Sequence, residues 1–189
     1  MYEFTKEKNL DFIVLSKTGR ANFPQTTLNN ICIGRDFLWH CMALKGRSGG
    51  MILGIHLLTF DIGEIEEGDF YIRFKVRHKE EDFRFSLIAV YGLVQAEHKS
   101  YFLSEMVRVC SKEALPIIIG GDFNIIQSPD EKNNANYNDR WTFMFNVVID
   151  TLNLREIVIS GRKYTWANRR KYQTFEKIRQ NTCLHRFGV

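Results

Sequence analysis

The chain has 189 residues, 44% of them apolar, 13% aromatic and 25% charged, which suits one folded domain and argues against disorder. Its 26 Lys and Arg against 22 Asp and Glu leave a net charge of +4, which permits nucleic-acid binding without establishing it. No apolar run approaches the ~20 residues of a membrane span, and acids stand in Met1-Tyr2-Glu3-Phe4-Thr5-Lys6-Glu7-Lys8 where a signal peptide would be apolar.

A soluble, unsecreted protein is therefore expected. The four cysteines (Cys32, Cys41, Cys110 and Cys183) lack C-x-x-C spacing and read as buried thiols of a reducing compartment. With only three prolines and no linker-like stretch, a two-domain reading is poor. Tyr2–Asn9 is charged and helix-compatible, and Leu10–Leu15 is an apolar run of strand length. Pro24–Cys32 reads as a short helix with Pro24 in its first turn, and Asp36–Met42 as a strand. Gly46-Arg47-Ser48-Gly49-Gly50 is a tight turn into a strand over Met51–Ile55; it lacks the Lys-Ser/Thr ending of a phosphate loop. Phe70–Arg77 alternates with period two, and Phe83–Tyr91 starts so before turning fully apolar. The two predict a hairpin around His78–Asp82 with one strand running into a core. His98–Lys112 has helical spacing, with Phe102, Met106 and Val109 on one stripe. Ile117–Ile119 is a short buried strand, Gln127–Asp139 a polar loop, Trp141–Leu152 a second amphipathic helix, and Gly161–Trp166 a turn into a strand. Hairpins with helices between some strands predict an α+β fold with sheet packed on sheet.

The chemistry concentrates in Ile117-Ile118-Ile119-Gly120-Gly121-Asp122-Phe123-Asn124. A strand ends in two glycines, and a carboxylate and an amide follow two positions apart. Extended, these side chains share a face, where they suit a hard cation such as Mg²⁺ or the orientation of an attacking water. An Asx turn, with both side chains bonded to nearby backbone, fits the same tract equally well. Tyr91 ends an apolar strand and has the plain alternative of a half-buried tyrosine with its hydroxyl in water. Thr165 and Trp166 are ordinary strand residues, and Arg162 and Lys163 an ordinary basic turn or a phosphate contact.

Taken in order, Gly46–Gly50, Val90-Tyr91-Gly92, Ile117–Asn124, Tyr137-Asn138-Asp139-Arg140-Trp141, Gly161–Trp166 and Phe175-Glu176-Lys177 resemble the endonuclease/exonuclease/phosphatase superfamily. The likeness is nearest to the endonuclease domains of plant non-LTR (LINE-type) retrotransposons and spans roughly residues 10 to 178. It implies a four-layer α/β/β/α sandwich that hydrolyses DNA phosphodiesters with Mg²⁺ or Mn²⁺. It makes Asp122 the carboxylate that orients or deprotonates water, Asn124 the amide on the scissile phosphate, and Tyr91 a further phosphate contact. Asp122 and Asn124 would also face the metal, and Thr165, Arg162 and Trp166 would lie toward the DNA. DNA is the implied partner, with no membrane and no oligomeric state specified, and a nuclear location follows from that substrate alone.

Three departures bear on activity. The family's first strand, with its Trp-Asn ligand, precedes the start of this chain. The second strand ends in Leu15-Ser16-Lys17-Thr18, where Lys17 stands at the position of the principal metal-ligand Glu. A cation there repels Mg²⁺: at ~4 Å two unit charges interact by ~1 kcal/mol in water and ~4 kcal/mol at an effective dielectric near 20. Finally, Glu176-Lys177-Ile178 continues as Arg179-Gln180-Asn181-Thr182-Cys183 instead of Asp-Arg-hydrophobic-Leu. Codons AGA CAG AAT ACT TGC, read one base later, give Asp-Arg-Ile-Leu. The expected organisation is thus a superfamily-like domain over 1–178 and a frameshifted tail over 179–189 lacking the catalytic Asp and His. The expected function is a phosphodiester hydrolase with impaired or absent cleavage, against the alternative of a non-catalytic relict that binds nucleic acid weakly at most. A phosphomonoesterase of the same superfamily is the third reading.

Overall fold

A computed structural model describes residues 10–20, 22–32, 34–43, 50–131 and 138–157, with the backbone of three short strands beyond. The chain forms two compact units, Met1–Ala89 and Val90–Val189.

In the first unit, β1 (Phe12–Ser16), β2 (Phe37–Ala43) and β3 (Gly50–His56) form an antiparallel sheet in the order β1-β3-β2. Every residue of β3 is buried, as expected for a central strand with an unbroken apolar run. The helix expected over Pro24–Cys32 forms as α1 (Gln25–Asn29), with Pro24 as its N-cap.

A second sheet contains β4 (Phe60–Glu67), β5 (Tyr71–His78) and β6 (Arg84–Tyr91), in that order. The hairpin expected between β5 and β6 is closed by His78 N donating to the Phe83 carbonyl at 2.8 Å. Aromatic rings fasten the two sheets face to face. Phe12 of β1 lies 4.7 Å from Phe60 and 6.0 Å from Phe85, and His40 of β2 lies 5.7 Å from Phe74.

β4 has no counterpart among the expected elements. Its tract is acid-rich, and a register irregularity between Ile62 and Ile65 breaks the period-two signal. Its acids are matched by bases of β5: Asp61 meets Arg77 at 2.5 Å, Glu64 meets Lys75 at 2.7 Å, and Glu66 pairs with Arg73. The Arg77 partner holds the Asp61 carboxyl below its usual range, and Lys75 does the same for Glu64. Such exposed pairs contribute little stability, but charge on an edge strand discourages edge-to-edge association.

In the second unit, β7 (Ile117–Asp122) follows the end of β6 in the sheet order, and β11 (Cys183–Arg186) and β8 (Arg155–Ile157) follow β7. β11 falls within the segment expected to be a tail. It pairs antiparallel with β7, Leu184 opposite Ile119, and with β8, His185 opposite Arg155. β9 (Trp166–Ala167) and β10 (Phe175–Glu176) form a separate antiparallel pair.

The long helix α2 (Ala96–Lys112) buries Phe102, Met106 and Val109, the predicted stripe. The helix α3 (Asp139–Thr151) buries Trp141, Phe145 and Ile149, and Asn138 caps it by accepting from the Arg140 amide at 3.1 Å. Among the described residues no helix is long and apolar enough to cross a membrane. Among the described residues two packed sheets with three helices make this an α+β fold.

Candidate active site

The site is built where β6 and β7 end side by side. Gly121 sits at φ +138, and a Cβ on it would lie 2.1 Å from the Val90 carbonyl oxygen. A Cβ on Gly92 would lie 2.3 Å from the Phe123 carbonyl oxygen. The two backbones thus approach more closely than a side chain allows. Gly92 N donates to the Asp122 carbonyl at 2.7 Å and fixes the register of that approach.

This closeness sets Tyr91 beside Asp122. Both are almost wholly enclosed, at 2% and 1% exposure. Tyr91 therefore lies deeper than a strand-end tyrosine with its hydroxyl in water. Burial first, and then the negative charge of Asp122, push its hydroxyl pKa above the usual 10.0. Tyr91 is accordingly a neutral O–H donor at ordinary pH. The sign of the linkage follows. The folded state holds this proton more tightly than the unfolded chain, so the stability contribution is complete below pH 10.0 and is lost as pH rises through the raised folded value. The urea midpoint should fall from pH 9 to pH 11 by more in the parent chain than in Tyr91→Phe. Equal falls would show that Tyr91 is not held in this way.

Beyond Asp122 the chain does not stay extended. Asn124 adopts the left-handed conformation, φ +49, and its amide donates to Asp122 Oδ1 at 3.2 Å. An Asx turn is therefore present, because Asn tolerates left-handed geometry and the Asp side chain satisfies the amide two residues on. The turn still brings the candidates together. Asn124 Nδ2 donates to the Gly92 carbonyl at 2.5 Å, so Tyr91, Asp122 and Asn124 converge around Gly92. The shared face comes from a turn instead of strand alternation. Phe123 points the other way and is fully buried against Phe102 at 6.2 Å and Phe145 at 5.3 Å.

Three residues that hold this loop are absent from the sequence-based set. Lys99 of α2 donates from Nζ to the Asn124 carbonyl at 3.0 Å. Glu131 is 5% exposed and accepts the Gln127 amide on Oε2 at 2.7 Å. Asn146 of α3 donates to the Gln127 carbonyl at 2.8 Å. All three act on backbone groups, which no residue pattern announces.

Lys17 follows β1 in the first unit, exposed and at φ +58. Arg162 and Thr165 lie outside the described residues; Trp166 opens β9, opposite Glu176.

The family resemblance implies a divalent metal at this site. Among the described residues no group of three or more His, Cys, Asp or Glu side chains could hold an ion. Among the described residues the carboxylate at the site is Asp122, with Oδ1 engaged by the Asn124 amide. Mg²⁺ is commonly held by one or two carboxylates together with waters and substrate phosphate oxygens, so Asp122 would supply one such ligand.

No protein-family model matches the chain, and no curated protein matches its sequence. Solved structures do match in fold. The chain is similar to the endonuclease domain of TRAS1, a telomere-specific non-LTR retrotransposon: TM-score 0.70, 12% identity, covering 98% of this chain and 76% of that one. It is also similar to the AP endonuclease LMAP of Leishmania major, with TM-score 0.68, 13% identity, and 97% and 72% coverage. A third similarity is to TDP2 of D. rerio, solved with a single-strand DNA product, with TM-score 0.64, 12% identity, and 98% and 74% coverage. These likenesses, at 12–13% identity, show a fold shared with these three structures.

Proposed function

We propose that the chain carries the phosphate-handling half of a DNA phosphodiesterase site, with metal-dependent cleavage impaired. The convergence of Tyr91, Asp122 and Asn124 around Gly92 supports this reading. A neutral Tyr91 hydroxyl donates to a non-bridging phosphate oxygen. The Asn124 amide has two N–H donors, and the one not directed at the Gly92 carbonyl suits a second phosphate oxygen. Asp122 accepts a proton from water and so orients it toward phosphorus.

Impairment rests on Lys17 at the position where the family resemblance expects a metal-ligand Glu. A ligand that binds only the folded chain raises its melting temperature, by about 2.7 kcal/mol at a hundredfold excess over Kd, or roughly 5–10 °C for a chain this size. Neither MgCl₂ nor MnCl₂ should raise the parent's melting temperature by more than about 1 °C. Lys17→Glu should gain a concentration-dependent rise. A rise in the parent that Asp122→Ala removes would overturn the impairment.

The second reading, a non-catalytic relict with weak nucleic-acid binding at most, is favoured by the same lysine. Oligonucleotide affinity separates the two: Tyr91→Phe should weaken binding if the phosphate-handling half is present and leave it unchanged in a relict.

A further inference from the structure

We infer that Lys99 is a positioning residue of this site: its ammonium fixes Asn124 in the phosphate-facing turn and adds positive charge where a phosphodiester binds. The second half of that statement rests on the function proposed above; the first stands on geometry alone. Lys99 lies in the first turn of the 17-residue helix α2, where a cation opposes the helix macrodipole and does nothing for helix stability. Its part-buried Nζ instead reaches across 25 positions of sequence to the Asn124 carbonyl at 3.0 Å.

That carbonyl belongs to a residue in a left-handed conformation, Asn124, whose amide and side chain are already committed to Asp122 and Gly92. Three bonds on N, Nδ2 and O thus determine where the Asn124 carboxamide lies. Two of the three bring a formal charge, the Asp122 carboxylate and the Lys99 ammonium, and only the Lys99 charge is positive. A charge-assisted bond is roughly twice as strong as a neutral one, and its donor carries charge that a phosphate would meet.

The test compares the full chain with Lys99→Met, which keeps length and helix propensity, and Lys99→Arg, which keeps donor and charge. Amide hydrogen exchange in the free protein reads the turn, and anisotropy of a fluorescein-labelled single-stranded oligonucleotide across a salt series reads the charge. In Lys99→Met, exchange at residues 123–125 should rise about tenfold while that of β7 stays unchanged. The slope of log K against log salt should shrink by about 0.7 in Lys99→Met, with Lys99→Arg retaining the parent's slope. Unchanged exchange in Lys99→Met would overturn the inference. So would faster exchange with an unchanged slope, which would make Lys99 a purely structural tether. If the parent binds no oligonucleotide while Lys99→Met still speeds exchange, the function proposed above fails and the tether alone survives.

Discussion

Gly121→Ala should destabilise the chain by more than about 3 kcal/mol, the largest effect of any single methyl group in the site. Two causes add. At φ +138 a non-glycine residue is strained whatever the space around it, and the new Cβ would sit 2.1 Å from the Val90 carbonyl oxygen. The obstructing atom is backbone of a neighbouring strand, so it cannot swing aside; β6 and β7 must part. Parting them removes the Gly92–Asp122 bond and with it the juxtaposition of Tyr91 and Asp122. Urea denaturation of the purified variant measures the loss. A midpoint within about 0.5 kcal/mol of the parent, the range of an innocuous surface change, would show that the close approach does not hold the site.

Phe123→Ala should destabilise by about 3–5 kcal/mol, as expected for removing a large aromatic side chain from a packed core. Phe123 is fully buried and meets Phe102 of α2 and Phe145 of α3. It is the plug beneath the site: its neighbours on either side, Asp122 and Asn124, are placed because Phe123 is anchored between them. The same substitution should therefore loosen the Asx turn, seen as faster exchange of the Asn124 amide. A loss below about 1.5 kcal/mol, typical of a volume-tolerant site, would count against this role.

The sequence discloses these elements unevenly, for physical reasons. β5, β6, α2 and α3 were legible because one buried face imposes a period of two or of 3.6 on the residues that line it. Ile117–Ile119 disclosed the start of β7 but not its length, since Gly120, Gly121 and Asp122 read as a break and in fact complete the strand. β4 was hidden because its acids are satisfied by bases on another strand, a pairing that no local window contains. β8, at three residues, and β10, at two, are too short to show a period.

At the site, Tyr91, Asp122 and Asn124 were identifiable by their resemblance to a known family. How they come together was not. Strand alternation pointed to a shared face over 122–124, whereas the left-handed Asn124 creates it by a turn. Lys99, Glu131 and Asn146 left no trace because each bonds a backbone amide or carbonyl, groups present at every position.

Nicking of supercoiled plasmid DNA, with Mg²⁺ and with Mn²⁺, by the parent chain and by Asp122→Ala tests the central claim most directly. The account predicts that both proteins leave the plasmid intact to the same extent as buffer. Nicking by the parent that Asp122→Ala abolishes would contradict it, because a working catalytic centre would then stand where only the phosphate-handling half is proposed.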